Sequence, residues 1–430
     1  MRYEKIPSSL FTDRRAEFAQ KMEPGSIAVF FSNDEMPRTG DQFYPYRQDS
    51  ALFALTGIDQ PGTILILYPD GKKKNSREMV FILPIDPLQA IWNGDRLTVT
   101  EAKQVSGISS IKFSNEWDTI TPELFHAADS IYVNSREQDK FHSPVITQNE
   151  RKAIELKQLY PVHAFHRAQP ILRQMMMIKH PIEIDQIRKA VEVTSEAFRH
   201  ALHHLKPGMK EFELEAVLTY IFTKHGCRHA FEPIIASGKS ACTLHYVQNN
   251  NVICEGTLVL LDFGAEYGCI TSDMSRTIPA SGQFTKEQKN IYNAVLRVLK
   301  HTMSWMTTGV KVAELNKEAG KNIEQELVKL KLISRADIRK QDARSPLWKK
   351  YFMHGISHHL GYDVHDIADR DSPLKAGMVL TCEPGLYIPE LGIGIRLEND
   401  VLITRKGPVN LMSLVPIEAE EIENLMQTKT

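Results

Sequence analysis

GTLVLLDFGAEYGCITSDMSRT, residues 256–277, decides how the second half of the chain is read. Two apolar runs flank a segment that contains Gly264 and Gly268, the pattern of a β-hairpin. Side chains alternate faces along a strand, so Leu258, Leu260 and Asp262 share one face, and Thr271, Asp273 and Ser275 share one face of the return strand. Two carboxylates can therefore converge. A second pair of runs, MVLTCEPGLYI (378–388) and GIGIRLENDVLIT (392–404), repeats the arrangement. Its period of two sets Ile393, Ile395 and Leu397 opposite Gly394, Arg396, Glu398 and Asp400, so Arg396 and Glu398 point the same way.

Between the two pairs, HGISHHLGYDVHD (354–366) holds four of the chain's 16 histidines. Gly355 and Gly361 oppose a regular helix there and favour a loop able to carry imidazoles to a centre. Asp262, Asp273, His358, Glu383 and Glu398 thus form an ordered set of possible ligands. A packed sheet face carrying several acids suffers desolvation and mutual repulsion unless cations neutralise it. Four carboxylates and one imidazole suit two divalent ions that share bridging carboxylates. The oxygen-rich set favours Mn²⁺, with Co²⁺ or Zn²⁺ as further candidates, whereas a structural zinc site would call for cysteines.

At 430 residues, 42% hydrophobic and 24% charged, the chain can bury a large core and is too long for one ordinary domain. Lys and Arg (52) nearly balance Asp and Glu (53), so no global field favours nucleic acid or an anionic membrane. The opening MRYEKIPSSLFTDRRAEF lacks the apolar core of a signal peptide and no run reaches the length of a membrane span, so a cytoplasmic protein is expected. Five cysteines, at 227, 242, 254, 269 and 382, include no C-x-x-C pair, which points to packing rather than disulfides or thiolate metal ligation.

Residues 1–172 are expected to form an α/β domain, with strand-like runs SIAVFF, ALFALTG, TILILY, MVFILPI and SIYVN alternating with helical or turn-like segments. GKKKNSRE (71–78) reads as an exposed hairpin or loop. Residues 173–430 form the second, α+β domain, opened by an amphipathic helix with Pro181 in its first turn and Gly208 beyond its end. Two helices are expected from about 285 to 331, followed by a polar, charged insertion at 334–350.

In their order, GTLVLLDFGAEYGCITSDMSRT, MHGISHHLGYDVHD, GMVLTCEPGLYI and GIGIRLEND closely resemble the pita-bread metallopeptidases, in particular their Xaa-Pro aminopeptidase (aminopeptidase P) branch. YPYRQDSALFALTG (44–57) extends the resemblance into the N-terminal domain, so it covers nearly the whole chain. The resemblance implies a creatinase/aminopeptidase-like catalytic domain in which Asp262 binds one metal, Asp273 and Glu398 bridge both, and His358 and Glu383 bind the other. It implies attack of a metal-bridging hydroxide on the peptide carbonyl, with Glu383 transferring protons. His245, His354 and His365 would contact substrate or stabilise the intermediate, with Tyr387 and Arg396 as polar supports. Arg370, in DIADRDSPLKAG, would gate substrate. IWNGDR (91–96) resembles a segment that reaches a neighbouring subunit's site in relatives, which makes Trp92 a pocket residue in trans and implies a homodimer or homotetramer.

The expected substrates are peptides with proline at the second position. Prolidase, confined to Xaa-Pro dipeptides, is the alternative, although the S-H-H-L-G run around Ser357 looks more like aminopeptidase P. A non-catalytic pita-bread module is the other, disfavoured by the intact five-residue set.

Overall fold

The computed structural model describes residues 2–135, 137, 143–342 and 344–428. Two compact units divide after Met176, the first being Tyr3–Met176 and the second Met177–Thr430. The expected boundary at 172/173 falls inside the helix Gln169–Met176, which belongs wholly to the first unit.

The first unit is built on a six-stranded mixed sheet, with strands β1 (Ser26–Phe31), β2 (Ile64–Leu67), β3 (Glu78–Ile82), β4 (Ile111–Phe113), β5 (Ser130–Val133) and β6 (Ala164–Arg167) in the order β4-β3-β2-β1-β5-β6. β1–β2 and β2–β3 are antiparallel, and β3–β4, β1–β5 and β5–β6 are parallel. SIAVFF is apolar without alternation because β1, at the centre, is buried at every position. Ile27, Val29, Phe31, Ile66, Phe81 and Ile131 pack with Phe125 and Leu156 from the helices Trp117–Ala127 and Gln148–Leu159.

ALFALTG is not a strand. It forms the helix Ser50–Thr56, started by the Asp49 side chain, which accepts from the Leu52 N–H, and ended by Gly57 in the left-handed conformation at φ 69°. A short apolar run satisfies either period, and here the caps decided. GKKKNSRE is a surface turn holding a single 3₁₀ turn, Lys74–Ser76.

In the second unit, helices Pro181–His204, Glu211–Lys224, Lys286–Trp305 and Val312–Lys329 pack with short antiparallel ladders. β7 (Ile234–Ser237), β8 (Leu258–Phe263) and β9 (Met274–Pro279) form one ladder. β10 (Val379–Cys382), β13 (Asn399–Thr404) and β14 (Gly407–Asn410) form another, and β11 (Gly385–Ile388) pairs with β12 (Ile393–Arg396).

The expected hairpin at 256–277 exists, but its ladder is broken in two. Beyond β8 and β9 the chain continues into the shorter pair Ala265–Tyr267 and Ile270–Thr271. That pair closes at Gly268 and Cys269, both at positive φ (58° and 61°), as a two-residue primed turn requires. Gly264 marks the break, since a Cβ there would lie 1.8 Å from the Ser272 carbonyl oxygen. The C-terminal hairpin is divided in the same manner, with Glu383–Pro384 and Leu397–Glu398 joining the β10–β13 ladder to the β11–β12 ladder. Among the described residues no helix is long and apolar enough to cross a membrane.

Candidate metal centre and surrounding site

The two ladder breaks supply all four acids. Asp262 is the penultimate residue of β8, opposite Ser275 on β9, while Asp273 lies just before β9. Glu383 follows β10 and Glu398 precedes β13. Where a ladder stops, the backbone no longer fixes both side-chain faces, and carboxylates from two hairpins turn toward one point. The histidine segment is a loop, as its glycines imply, and is pinned to β10. The His358 N–H donates to Thr381 Oγ1 at 3.1 Å, and the Thr381 N–H donates back to the His358 carbonyl at 2.9 Å.

Ligand atoms of Asp273, His358 and Glu398 lie within 4.8 Å of one another. His358 Nε2 stands 3.3 Å from Asp273 Oδ2, 3.9 Å from Glu383 Oε1 and 4.0 Å from Glu398 Oε1. Burial, together with the neighbouring Asp262, Asp400 and Glu383 carboxylates, pushes the Asp273 carboxyl well above its ordinary range. Burial and the charges of Asp273, Glu383 and Asp262 do the same to Glu398. Asp262 Oδ1 and Glu398 Oε1 are buried acceptors without a hydrogen-bond partner. Crowded, mutually repelling carboxylates with orphaned oxygens, faced by an imidazole nitrogen, are a donor set that divalent cations satisfy. The residues present therefore fit a metal centre, and Asp262 and Glu383 border the tighter trio.

Arg396, with Glu398 as expected on its side of the strand, organises the floor. Its guanidinium donates to Asp262 Oδ2 at 2.5 Å, to Ser275 Oγ at 2.8 Å and to Tyr387 Oη at 2.9 Å. Burial alone would lower its pKa, but Tyr387, Asp262 and Glu398 around it keep it charged. Ser275 Oγ in turn donates to Glu398 Oε2 at 2.9 Å. His354 Nε2 meets Tyr387 Oη at 2.7 Å, and its Nδ1 meets the Gly355 carbonyl at 2.8 Å. A carbonyl only accepts, so Nδ1 carries the proton, Nε2 accepts from the Tyr387 hydroxyl, and that oxygen accepts from Arg396. Burial, helped by the positive Arg396, pushes His354 down to about 3, so the ring is neutral at ordinary pH. Glu383 Oε2 lies 3.4 Å from His354 Nδ1.

His365 is exposed and packs edge-on to His358, ring centroids 4.4 Å apart. His245, also exposed, is near enough that its charge further depresses His354. His359 is buried, and burial pushes it down to about 3. Arg370 is exposed beside the same loop, close enough to act on His359. Trp92 lies on the first unit's helix Pro87–Asn93 and is 83% exposed.

Sequence reasoning gave no role to Ser275, although period two already placed it on the face of Asp273. Two other missed groups are Asp400, whose Oδ2 accepts the Asp273 N–H at 3.2 Å, and the fully buried Arg276, whose Nη1 donates to the Glu398 carbonyl at 2.6 Å. An acid and a base inside apolar strands are the available signal for such groups.

Metallopeptidase family M24 matches residues 185–405, and the aminopeptidase P N-terminal domain matches residues 11–132. The chain is 35% identical over 442 residues to the Xaa-Pro aminopeptidase of Escherichia coli (strain K12), and 32% identical over 435 residues to that of Haemophilus influenzae, covering 98% of every chain compared. Among solved structures, a Bacillus anthracis chain assigned as an aminopeptidase P superposes with a TM-score of 0.91 at 33% identity, covering 98% of both chains. Escherichia coli aminopeptidase P with the inhibitor Pro-Leu superposes with a TM-score of 0.85 at 33% identity, covering 98% of this chain and 99% of that one. The chain belongs to metallopeptidase family M24, with an aminopeptidase P-type N-terminal domain preceding a pita-bread catalytic domain.

Proposed function

We propose that this enzyme uses divalent metal to hydrolyse the bond between an N-terminal residue and a following proline. The convergence of Asp273, His358 and Glu398, in a chain that aligns end to end with Xaa-Pro aminopeptidases, carries the conclusion. The alignment favours this activity over prolidase, and the complete ligand set disfavours a binding module.

In the full proposal the metal site is dinuclear, held by Asp262, Asp273, His358, Glu383 and Glu398, with Mn²⁺ preferred by the oxygen-rich donors and Co²⁺ or Zn²⁺ able to replace it. Bound divalent cations would supply Lewis acidity toward the scissile carbonyl and lower the pKa of the attacking water. Glu383, partly exposed at the end of β10, is the group placed to take and return the proton. The neutral His354, its Nδ1–H facing Gly355 and Glu383, orients that carboxylate and ties it through Tyr387 to Arg396. His365 and His245 present imidazole donors to the substrate, and Arg370 gates its entry.

The proposal extends to a homodimer or homotetramer in which Trp92 serves a neighbour's site. Its support is an exposed apolar patch on one helix, where Leu88 and Ile91 are 72% and 77% exposed beside Trp92. A cytoplasmic location is also proposed, supported by the free thiols of Cys227, Cys242, Cys254 and Cys382.

The test is hydrolysis of a Xaa-Pro-Xaa tripeptide by metal-stripped protein before and after Mn²⁺, with the matching Xaa-Pro dipeptide alongside. Mn²⁺-restored release of the first residue from the tripeptide is expected. Cleavage of the dipeptide alone would move the assignment to prolidase, and cleavage of neither would restore the binding-module reading.

A further inference from the structure

The insertion before the histidine loop folds as the helix Arg335–Lys340 and the 3₁₀ turn Leu347–Lys350. It is not a free surface loop, because three residues spaced by four on the helix Val312–Lys329 engage it or the loop it leads to. Glu324 Oε2 accepts from Gln341 Nε2 at 2.8 Å, and Gln341 Oε1 accepts from the Leu347 N–H at 2.8 Å. Gly320 lies under the Trp348 indole, where an added Cβ would come within 2.6 Å of the ring. Asn316 Oδ1 accepts from the Ile356 N–H, inside the histidine loop, at 2.8 Å.

Gly320 is informative. Glycine in a helix interior costs about 1 kcal/mol relative to alanine, and here it makes the room that the indole occupies. From Trp348 the contacts continue toward the site. The Trp348 carbonyl accepts from the N–H groups of Tyr351 (3.0 Å) and Phe352 (2.9 Å), and the Trp348 and Phe352 ring centroids are 6.0 Å apart. Phe352, 1% exposed, packs edge-on to His354 at 4.5 Å and 69°. The Tyr351 carbonyl accepts from the Tyr387 N–H at 2.9 Å, so the same segment also holds the hydroxyl partner of His354.

We propose that the 334–350 insertion is a positioning device for His354, seated on the Asn316–Gly320–Glu324 stripe, with Trp348 and Gly320 as its positioning residues. Trp348 braces Phe352, Phe352 sets the plane of the imidazole, and Tyr387 receives it. The inference rests on the aminopeptidase reading for its activity readout and on geometry for the rest.

The experiment compares kcat per bound metal, KM, metal content and melting temperature for wild type, Trp348→Ala, Trp348→Phe and Gly320→Ala on a Xaa-Pro-Xaa peptide, with a crystal structure of Gly320→Ala. Misplacing an active-site group by about 1 Å can cost on the order of 100-fold, and displacement through one intervening ring is expected to cost about tenfold in kcat. Trp348→Ala and Gly320→Ala should show that loss with metal content and melting temperature held, and Trp348→Phe should recover most of it. Helix propensity favours Gly320→Ala, so it decides the matter where Trp348→Ala fails to fold.

A loss that tracks metal content or melting, or kcat within about twofold of wild type in Gly320→Ala, would overturn the proposal. Should the wild-type enzyme not cleave the peptide, the activity reading fails by itself. The Gly320→Ala structure still decides the clamp: a displaced His354 ring supports it, and a ring left 2.7 Å from Tyr387 Oη overturns it.

Discussion

Arg396→Met removes the buried cation that lies among the carboxylates of the candidate metal centre. Its guanidinium makes three hydrogen bonds, to Asp262, Ser275 and Tyr387, and is one of the charges that hold down the Asp273 and Glu398 carboxyls. Methionine keeps the unbranched apolar stem of the side chain and none of these bonds. Breaking a buried pair by removing one partner costs about 3–5 kcal/mol, which for a unit of this size is roughly 6–20 °C in melting temperature. The cost must depend on pH. Asp273 and Glu398 titrate above their ordinary range, so above about pH 4 the folded chain binds more protons than the unfolded one, and their favourable contribution is present at low pH and lost as pH rises. Once they are protonated, the guanidinium has less charge to offset. Calorimetry of metal-free wild type and variant at pH 8 and pH 5 is expected to show the full cost at pH 8 and a smaller one at pH 5. A difference below about 1 kcal/mol at pH 8, or one that grows on acidification, would refute the view that Arg396 compensates these acids.

Asp273→Asn and Glu398→Gln should each lose more than the 10–100-fold typical of a group that merely orients a ligand, together with bound metal; near-normal peptide hydrolysis by either variant would rule out its ligand role. Gly361→Ala drives a Cβ to 2.1 Å from Asp366 Oδ2 and 2.8 Å from Lys179 Nζ, parting a buried ion pair of 2.7 Å, so thermal or urea unfolding should register a loss of about 3 kcal/mol. Burial pushes His229 down to about 4, so the unfolded chain binds the extra proton between about pH 6.5 and 4, and stability present above that window is lost as pH falls through it. His229→Leu should therefore flatten the acid side of the stability profile by up to about 3 kcal/mol, and an unchanged slope in urea titrations at pH 6.5 and 4.5 would count against it.

The site was more legible in the sequence than its surroundings. Asp262, Asp273 and Glu398 were singled out from the period of two in the runs that carry them and Glu383 from the apolar run before it, since acids set against buried apolar strands must be paired or neutralised. Gly355 and Gly361 excluded a helix through the histidines. The interruption of the first hairpin was not readable, since it arises where Ser272 and Gly264 approach each other, a close contact that leaves no periodic signature. ALFALTG misled because seven apolar or small residues satisfy both periods, and only Asp49 and Gly57 distinguish them. Arg276 and Asp400 went unassigned because most of their partners are main-chain groups, whose positions exist only in the folded chain.

The interrupted ladders also bear on how the protein is made. Arg396 and Asp262 are separated by 134 positions, and Ser275 and Glu398 by 123, so the bonds that join the two hairpins across the floor of the site close very long loops. These long-range contacts are slow to form and gain nothing until the intervening helices have packed. Neither hairpin alone presents the full ligand set, so a divalent cation has no completed cage on the nascent or unfolded chain. Metal capture should therefore be a late event in biogenesis, and the rate at which refolding chains acquire tight metal binding should report the docking of the two hairpins rather than the formation of either one.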